Sequence, residues 1–293
     1  MDANQKKYAY SLIIPVHNEE KFLRQNLNSV VNQRLQPLEV IIVDDGSTDK
    51  SVEIAQEFAQ KFDFIKPVSS GDKTDSHQPG SKIVNAFYKG FEQLTKDWDF
   101  IVKLDADVIL PQNYFEIISE TFKSDHKTGI AGGIAFIEKN GEWKPENIGD
   151  KKQVRGPFKA YTKECFEKIG GIRPTIGWDT LDEMIAQYQG FKITVLPDLI
   201  VKLQKPTGTN YKKIHAQKTG QAFYKMGYGL LISLIAAAKD AWKKQRITVF
   251  FSIMSAYFSS ALKSESKAVT AEEAKFIRQL RWRGVLNKFG INK

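Results

Sequence analysis

Between Tyr10 and Leu104, short apolar runs alternate with segments whose apolar residues recur at helical spacing, and that alternation leaves few folds open. "YSLIIPV" reads as a strand, and Phe22, Leu23, Leu27, Val30 and Val31 mark a helix after it. "EVIIVD" is a second strand. "GSTDKSVEIAQEFAQKF" then supplies a turn and a helix with apolar positions Val52, Ala55, Phe58, Ala59 and Phe62, and Ser47 or Thr48 is expected to cap it. A third strand near Phe64–Val68, a polar loop at Ser69–Gly80, a helix around Ser81–Thr95 and the strand "DFIVKL" complete the pattern. Such a chain is expected to form an α/β fold with a mainly parallel sheet flanked by helices. Open sheets of this kind bind ligands beyond the carboxyl ends of their strands, where His17, Asn18, Asp44, Asp45, Asp105 and Asp107 fall.

After Pro111 the rhythm loosens. "GIAGGIAFI" reads as one more strand, "WDTLDEMIAQYQGFK" as a helix preceded by a turn, and the chain from Lys218 onward as mostly helical. The expected division is a strand-helix domain over 1–217 and a helical, basic region over 218–293. Charge follows the same division. Residues 1–200 hold 25 basic against 30 acidic side chains, and residues 201–293 hold 18 against 4. A basic end on an acidic body suits an anionic partner. At 42% hydrophobic and 26% charged residues the chain is globular in composition, and the single cysteine, Cys165, excludes an internal disulfide and fits a reducing compartment. The polar opening "MDANQKKYAY" has no apolar signal core, so no secretory peptide is expected.

Asp105 and Asp107 pose a specific question. Two carboxylates one residue apart repel, so the strand end they close is either a solvated turn or a site for a hard cation such as Mg2+ or Mn2+. Taken alone the pair leaves both open. Its context is "SLIIPVHNEEKFLRQNLNSVVNQ", "EVIIVDDGSTDKSVEIAQEF" and "DFIVKLDADVIL", in that order at successive strand ends. Together these resemble the family 2 glycosyltransferases, which have the GT-A fold. The resemblance covers about residues 10–110 and continues more loosely through "GWDTLDEMIAQYQGF".

What the resemblance implies is an inverting enzyme that moves a sugar from a nucleotide diphosphate donor to an acceptor hydroxyl. His17 would stack on the nucleobase, and Asp44 or Asp45 would accept hydrogen bonds from base or ribose. Pro15, Asn18, Glu19, Lys82, Asp105 and Ala106 complete the implied donor site. Asp105 and Asp107 would share Mg2+ or Mn2+ bridging the donor's phosphates, which relieves their repulsion. The implied general base is Asp179, with Asp182 as competitor; Trp178 stands where the family has Glu. Many relatives carry a metal-binding histidine after this helix, and "DLIVKLQKPTG" has none; His215 is expected to be a surface residue. Donor specificity is expected to depend on Ser69–Gly80 and Lys139–Lys159.

Two apolar stretches, Met226–Ala238 and Ile247–Leu262, are shorter than the roughly 20 residues a spanning helix needs. In the second, Phe250, Ile253, Met254, Tyr257, Phe258 and Ala261 form an apolar face, flanked by Lys243, Lys244, Arg246 and Lys263. That face either lies in a membrane interface or packs on the protein. The expected partners are a nucleotide diphosphate-sugar, a lipid-linked or saccharide acceptor and an anionic membrane surface, with the protein peripheral on the cytoplasmic face of the cell membrane. No nucleic-acid module is recognised. Two other functions compete. A sugar-nucleotide synthesising nucleotidyltransferase would have a glycine-rich loop where "PVHNEEKFLRQ" has no glycine, and an inactive relative would bind nucleotide sugar or scaffold a membrane complex.

Overall fold

The computed structural model describes residues 8–71, 81–146, 152–206, 215–288 and 290, without the side chains of Ser81, His215 and Lys288. Most of the loop Ser69–Gly80 and part of Lys139–Lys159 lie outside the described residues, as does the side chain of His215. The chain forms two compact units. The first comprises Met1–His77, Lys82–Ile172 and Gln189–Thr207, and the second Gln78–Ser81, Arg173–Tyr188 and Gly208–Lys293.

The first unit is built on β1 (Tyr10–Val16), α1 (Leu23–Val31), β2 (Glu39–Asp44), α2 (Ser51–Lys61), β3 (Ile65–Ser69), α3 (Ser81–Phe91) and β4 (Phe100–Leu104). These are followed by β5 (Val108–Ile109), α4 (Tyr114–Ser124), β6 (Thr128–Lys139), β7 (Glu142–Pro145), β8 (Phe158–Thr162), α5 (Lys163–Lys168) and β9 (Lys192–Leu203). The nine strands form one sheet in the order β3-β2-β1-β4-β8-β6-β9-β5, with β7 paired to β6. Strands β3, β2, β1 and β4 are parallel, as the strand-helix alternation predicts. Beyond β4 the sheet is mixed: β8 runs antiparallel to both β4 and β6, and β9 parallel to β6.

Alternation in the first strands sets both faces. Leu12, Ile14, Val40, Ile42, Val102 and Leu104 point to a core closed by Leu23, Leu27 and Val30 of α1, Phe58 of α2 and Phe115 of α4. Ile13, Ile41 and Val43 point the other way, toward α3. There Gly90 allows close approach, because a Cβ would meet Ile13 Cγ2 and Val43 Cγ2 at 2.7 Å.

The structure corrects two local expectations. Helix α3 stops at Phe91, short of Thr95, because the buried Glu39 carboxylate accepts from the Thr95 and Lys96 N–H groups at 3.0 and 2.8 Å. At α2 the Ser51 N–H is taken by Asp49 Oδ1 at 3.0 Å, and neither Ser47 nor Thr48 caps the helix; both bond to Asn18.

The second unit contains α6 (Trp178–Tyr188), α7 (His215–Lys225), α8 (Gly229–Lys243), α9 (Ile247–Leu262) and α10 (Ala271–Lys288). Thr270 and Glu273 form a reciprocal capping box at the start of α10, and the same glutamate takes a two-pronged ion pair from Arg173 at 2.7 Å. Gly220 lets α7 lie against α9, since a Cβ there would sit 2.1 Å from the Ile253 carbonyl oxygen. Among the described residues no helix is long and apolar enough to cross a membrane.

Candidate functional site

Two loops leave the carboxyl ends of β1 and β2 and are joined by hydrogen bonds. Asp45 O and His17 Nδ1 lie 2.8 Å apart, so the imidazole carries its proton on that nitrogen when the bond forms. Asn18 N–H donates to Ser47 Oγ at 3.0 Å, and Asn18 Oδ1 accepts from Thr48 N–H at 2.8 Å. Glu19 N–H donates to Ser51 Oγ, Glu20 N–H to Asp49 Oδ2, and Lys50 N–H to Glu20 Oε2. Asn18 is held at φ 55°, a left-handed conformation asparagine tolerates better than most residues, and Gly46 turns the facing loop at φ 74°. Asp44 accepts from Ser47 N–H and Asp45 from Ser70 Oγ, which fixes both carboxylates at the rim. His17 and Asn18 remain exposed.

The Asp-x-Asp turn after β4 is held from several sides through its backbone. Asp105 N–H donates to Pro157 O at 2.8 Å. Asn26 Nδ2, from the buried face of α1, donates to Asp105 O and Val108 O at 3.0 and 2.7 Å. Gln204 N–H, just past β9, donates to Asp107 O at 2.9 Å. Ala106 between the aspartates is buried. The carboxylates are thus fixed by the fold rather than by each other.

Each aspartate also meets a lysine. Asp105 pairs with Lys103, which is buried in β4. Asp107 lies 3.6 Å from Lys205, whose ammonium donates to both oxygens of Glu19 at 2.6 and 2.7 Å. Burial lowers the Lys205 pKa, but the hydrogen bond to Glu19 and the charges of Asp107, Glu19 and Asp105 outweigh it and raise the group overall. Asp107 is pushed up to about 6, first by burial and then by the charge of Asp105; Lys205 pulls it back and Glu19 pushes it further. Even with its lysine, Asp107 is held where burial first, and the neighbouring carboxylates second, leave an imbalance against its negative charge.

That imbalance and the hard oxygen donors fit a divalent cation. The described residues hold no group of three His, Cys, Asp or Glu side chains arranged to take a metal alone. Asp105 and Asp107 would therefore hold the ion with oxygens from phosphate and water. The stretch without a histidine nonetheless reaches this mouth, because Gln204 and Lys205 follow β9 directly and deliver an ammonium to Asp107. An ion entering here contends with Lys205 for Asp107. Lys205→Gln is accordingly expected to tighten Mn2+ binding several-fold in calorimetric titration without nucleotide, whereas unchanged or weaker binding would show that the lysine does not occupy the ion's place.

Pro15, His17, Asn18, Glu19, Asp44, Asp45, Asp105, Ala106 and Asp107 all lie at or beyond the ends of β1, β2 and β4. Lys82 is exposed in the first turn of α3, outside the bonds that join the others. Asp179 and Asp182 lie on α6 in the second unit. Asp182 is buried and accepts the Glu183 N–H at 2.6 Å, while Asp179 is half-buried in the first turn. Three residues that shape the site escape inspection of the sequence: Asn26, Lys103 and Lys205. Asn26 had a signal, as a polar side chain on the Leu23, Leu27, Val30 face of α1.

A family model described as glycosyl transferase family 2 matches residues 11–177, more than half of the chain. The cholesterol galactosyltransferase of Borreliella burgdorferi is 30% identical over 168 residues, 56% of this chain and 42% of that protein. The chain spans about half the length of the curated relatives it matches. Staphylococcus aureus TarS 1-349, solved in complex with UDP-GlcNAc, shares the fold with a TM-score of 0.58 at 19% identity, over 96% of this chain and 80% of that one. Mannosyltransferase PcManGT from Pyrobaculum calidifontis, solved with GDP-Man and Mn2+, has a TM-score of 0.57 at 14% identity, over 96% and 81%. The architecture is the GT-A type expected from the sequence.

Proposed function

The chain belongs to glycosyl transferase family 2, and from that premise we propose that it transfers a sugar from a nucleotide diphosphate donor to an acceptor hydroxyl with inversion. The observation that carries this is the Asp-x-Asp turn after β4, pinned by Asn26, Pro157 and Gln204, in the same parallel part of the sheet whose β1 and β2 end in the joined His17 and Asp44–Asp45 loops. A pyrophosphate with a divalent ion suits the former, and a nucleoside the latter. Mg2+ or Mn2+, when bound, would stabilise the charge that grows on the departing nucleotide diphosphate. His17 offers a ring face, Asp44 and Asp45 accept from base or ribose, and Lys205 lies within reach of the same charge. Asp179 takes the acceptor's proton.

The solved neighbours were captured with UDP-GlcNAc in one case and with GDP-Man and Mn2+ in the other, so UDP and GDP with Mn2+ are the first ligands to try. Binding to the folded state alone raises apparent stability, by about 2.7 kcal/mol at a hundredfold excess over Kd. UDP or GDP is expected to raise Tm by several degrees with Mn2+ and by much less in EDTA. If no nucleoside diphosphate moves Tm under either condition, the donor site is misassigned. The acceptor is lipid-linked or a growing saccharide, and the protein works peripherally at the inner face of the cell membrane; the +14 excess of basic over acidic side chains in residues 201–293 supports that placement.

A further inference from the structure

Helix α9 has two apolar faces, and only one is used inside the protein. Ile253 and Met254 are buried with Ala237 of α8, and Phe250, Tyr257 and Leu234 pack beside them. Most of the face that the sequence offers to a membrane is therefore consumed by helix packing. A second stripe stays outside: Ile247, Phe251, Phe258 and Leu262 are 66, 63, 46 and 86% exposed. Their spacing of four, seven and four residues keeps them on one side of the helix. Helix α8 repeats the arrangement with Leu231, Ile235 and Trp242, at 65, 39 and 87%. Single exposed apolar residues are ordinary, but a stripe running along each of two consecutive, packed helices marks apolar surface that meets something apolar.

Charge identifies the partner. Between Gly229 and Ser264 the chain carries Lys239, Lys243, Lys244, Arg246 and Lys263 against one acid, Asp240. Lys243, Lys244 and Arg246 are exposed around the short link between the helices, beside Trp242. Apolar side chains, an exposed tryptophan and cations together suit the boundary of an anionic bilayer, where acyl chains receive the first, the headgroup layer the second and phosphates the third.

We propose that the α8–α9 hairpin lies flat in an anionic membrane surface, inserting the stripe Ile247, Phe251, Phe258 and Leu262 with Leu231 and Trp242 while its basic link binds lipid phosphates. This deepens the peripheral placement given above and rests on it. The insertion leaves the packed face of α9 undisturbed, so binding requires no unfolding of the second unit. It also does not depend on the donor site.

Flotation of the full chain with phosphatidylcholine vesicles, with or without 30 mol% phosphatidylglycerol by experimental choice, tests this at about 50 mM salt, where surface charge is weakly screened. The parent is expected to float with anionic vesicles and not with neutral ones. Combined Trp242→Ser, Phe251→Ser and Leu262→Ser should reduce the vesicle-bound fraction at least tenfold, with circular dichroism and the UDP-dependent Tm shift unchanged. Lys243→Gln with Lys244→Gln and Arg246→Gln should remove the preference for anionic vesicles. If the serine variant floats like the parent, the hairpin is not the attachment surface although peripheral placement survives; if the parent never floats, both fall. A parent dimer in light scattering that the serine variant converts to monomer would assign the stripe to a second copy and overturn the proposal.

Discussion

Asp107→Asn is expected to make the metal-free protein more stable at pH 7.5 while abolishing divalent-dependent nucleotide binding. In an unfolded chain this carboxyl ionises near its ordinary value of 3.8, but in the folded protein only near 6. At pH 7.5 folding therefore moves a charged group into a place that disfavours its charge. The cost corresponds to a shift of about two pKa units at about 1.4 kcal/mol each, so relieving it should contribute ~1–3 kcal/mol, or a few degrees in Tm. The sign fixes the pH profile. For the parent, this group's penalty is full above about pH 6 and fades as pH falls toward 4, so the advantage of the variant should shrink over the same window. Asp105→Asn should behave oppositely in stability, because it takes a carboxylate from the buried Lys103 ammonium. Both variants should lose the Mn2+-dependent Tm shift with UDP. Equal stability losses in the two would mean that Asp107 is an ordinary turn aspartate.

These opposite roles for two aspartates one residue apart show why the sequence discloses some of the site and hides the rest. β1, β2 and the helices after them were legible because both faces of those strands are buried by nearby segments, so local apolar pattern and final environment agree. The Asp-x-Asp turn was legible as chemistry, since two carboxylates closing an apolar strand need either water or a cation to offset their repulsion. Its wiring was not. Lys205 reaches Asp107 from nearly a hundred residues away, and nothing in "KLQKP" marks that lysine apart from its neighbours. Lys159 is fully buried as the second residue of β8, where a charged residue interrupts the apolar run that would reveal the strand. β9 was missed for a similar reason: its partly exposed residues, Pro197 and register shifts against β6 blur any period. On α9, hydrophobic spacing located the helix at its observed ends, but two apolar faces share it and spacing cannot say which one a neighbour covers.

Replacing Asp179 by Asn should leave nucleotide-sugar affinity near that of the parent and reduce turnover by about 10²–10⁴-fold, the range in which general bases contribute. Asp179 and Asp182 are three residues apart on α6, so spacing alone assigns the role to neither. Their surroundings separate them. Asp182 is 3% exposed and spends one oxygen on the Glu183 N–H, so its removal should act first through the packing of α6. Asp179 is half-buried in the first turn, so its carboxylate is not sealed into the helix packing as that of Asp182 is. Its charge is felt by Tyr228: that hydroxyl's pKa is raised by burial, lowered in part by Arg281, and raised again by Asp179. Arg281 in turn donates to the Tyr228 oxygen, so the tyrosine beside Asp179 is fixed from α10. Tyr228→Phe should consequently lower turnover less than Asp179→Asn does. Asp182→Asn should mainly lower Tm. Single-turnover transfer alongside donor titration distinguishes these effects, because loss of a base leaves binding intact while loss of packing does not. An inactive Asp182→Asn enzyme with a normal melting curve, beside an active Asp179→Asn one, would move the base to Asp182; full activity in both would remove this segment from the proton transfer altogether.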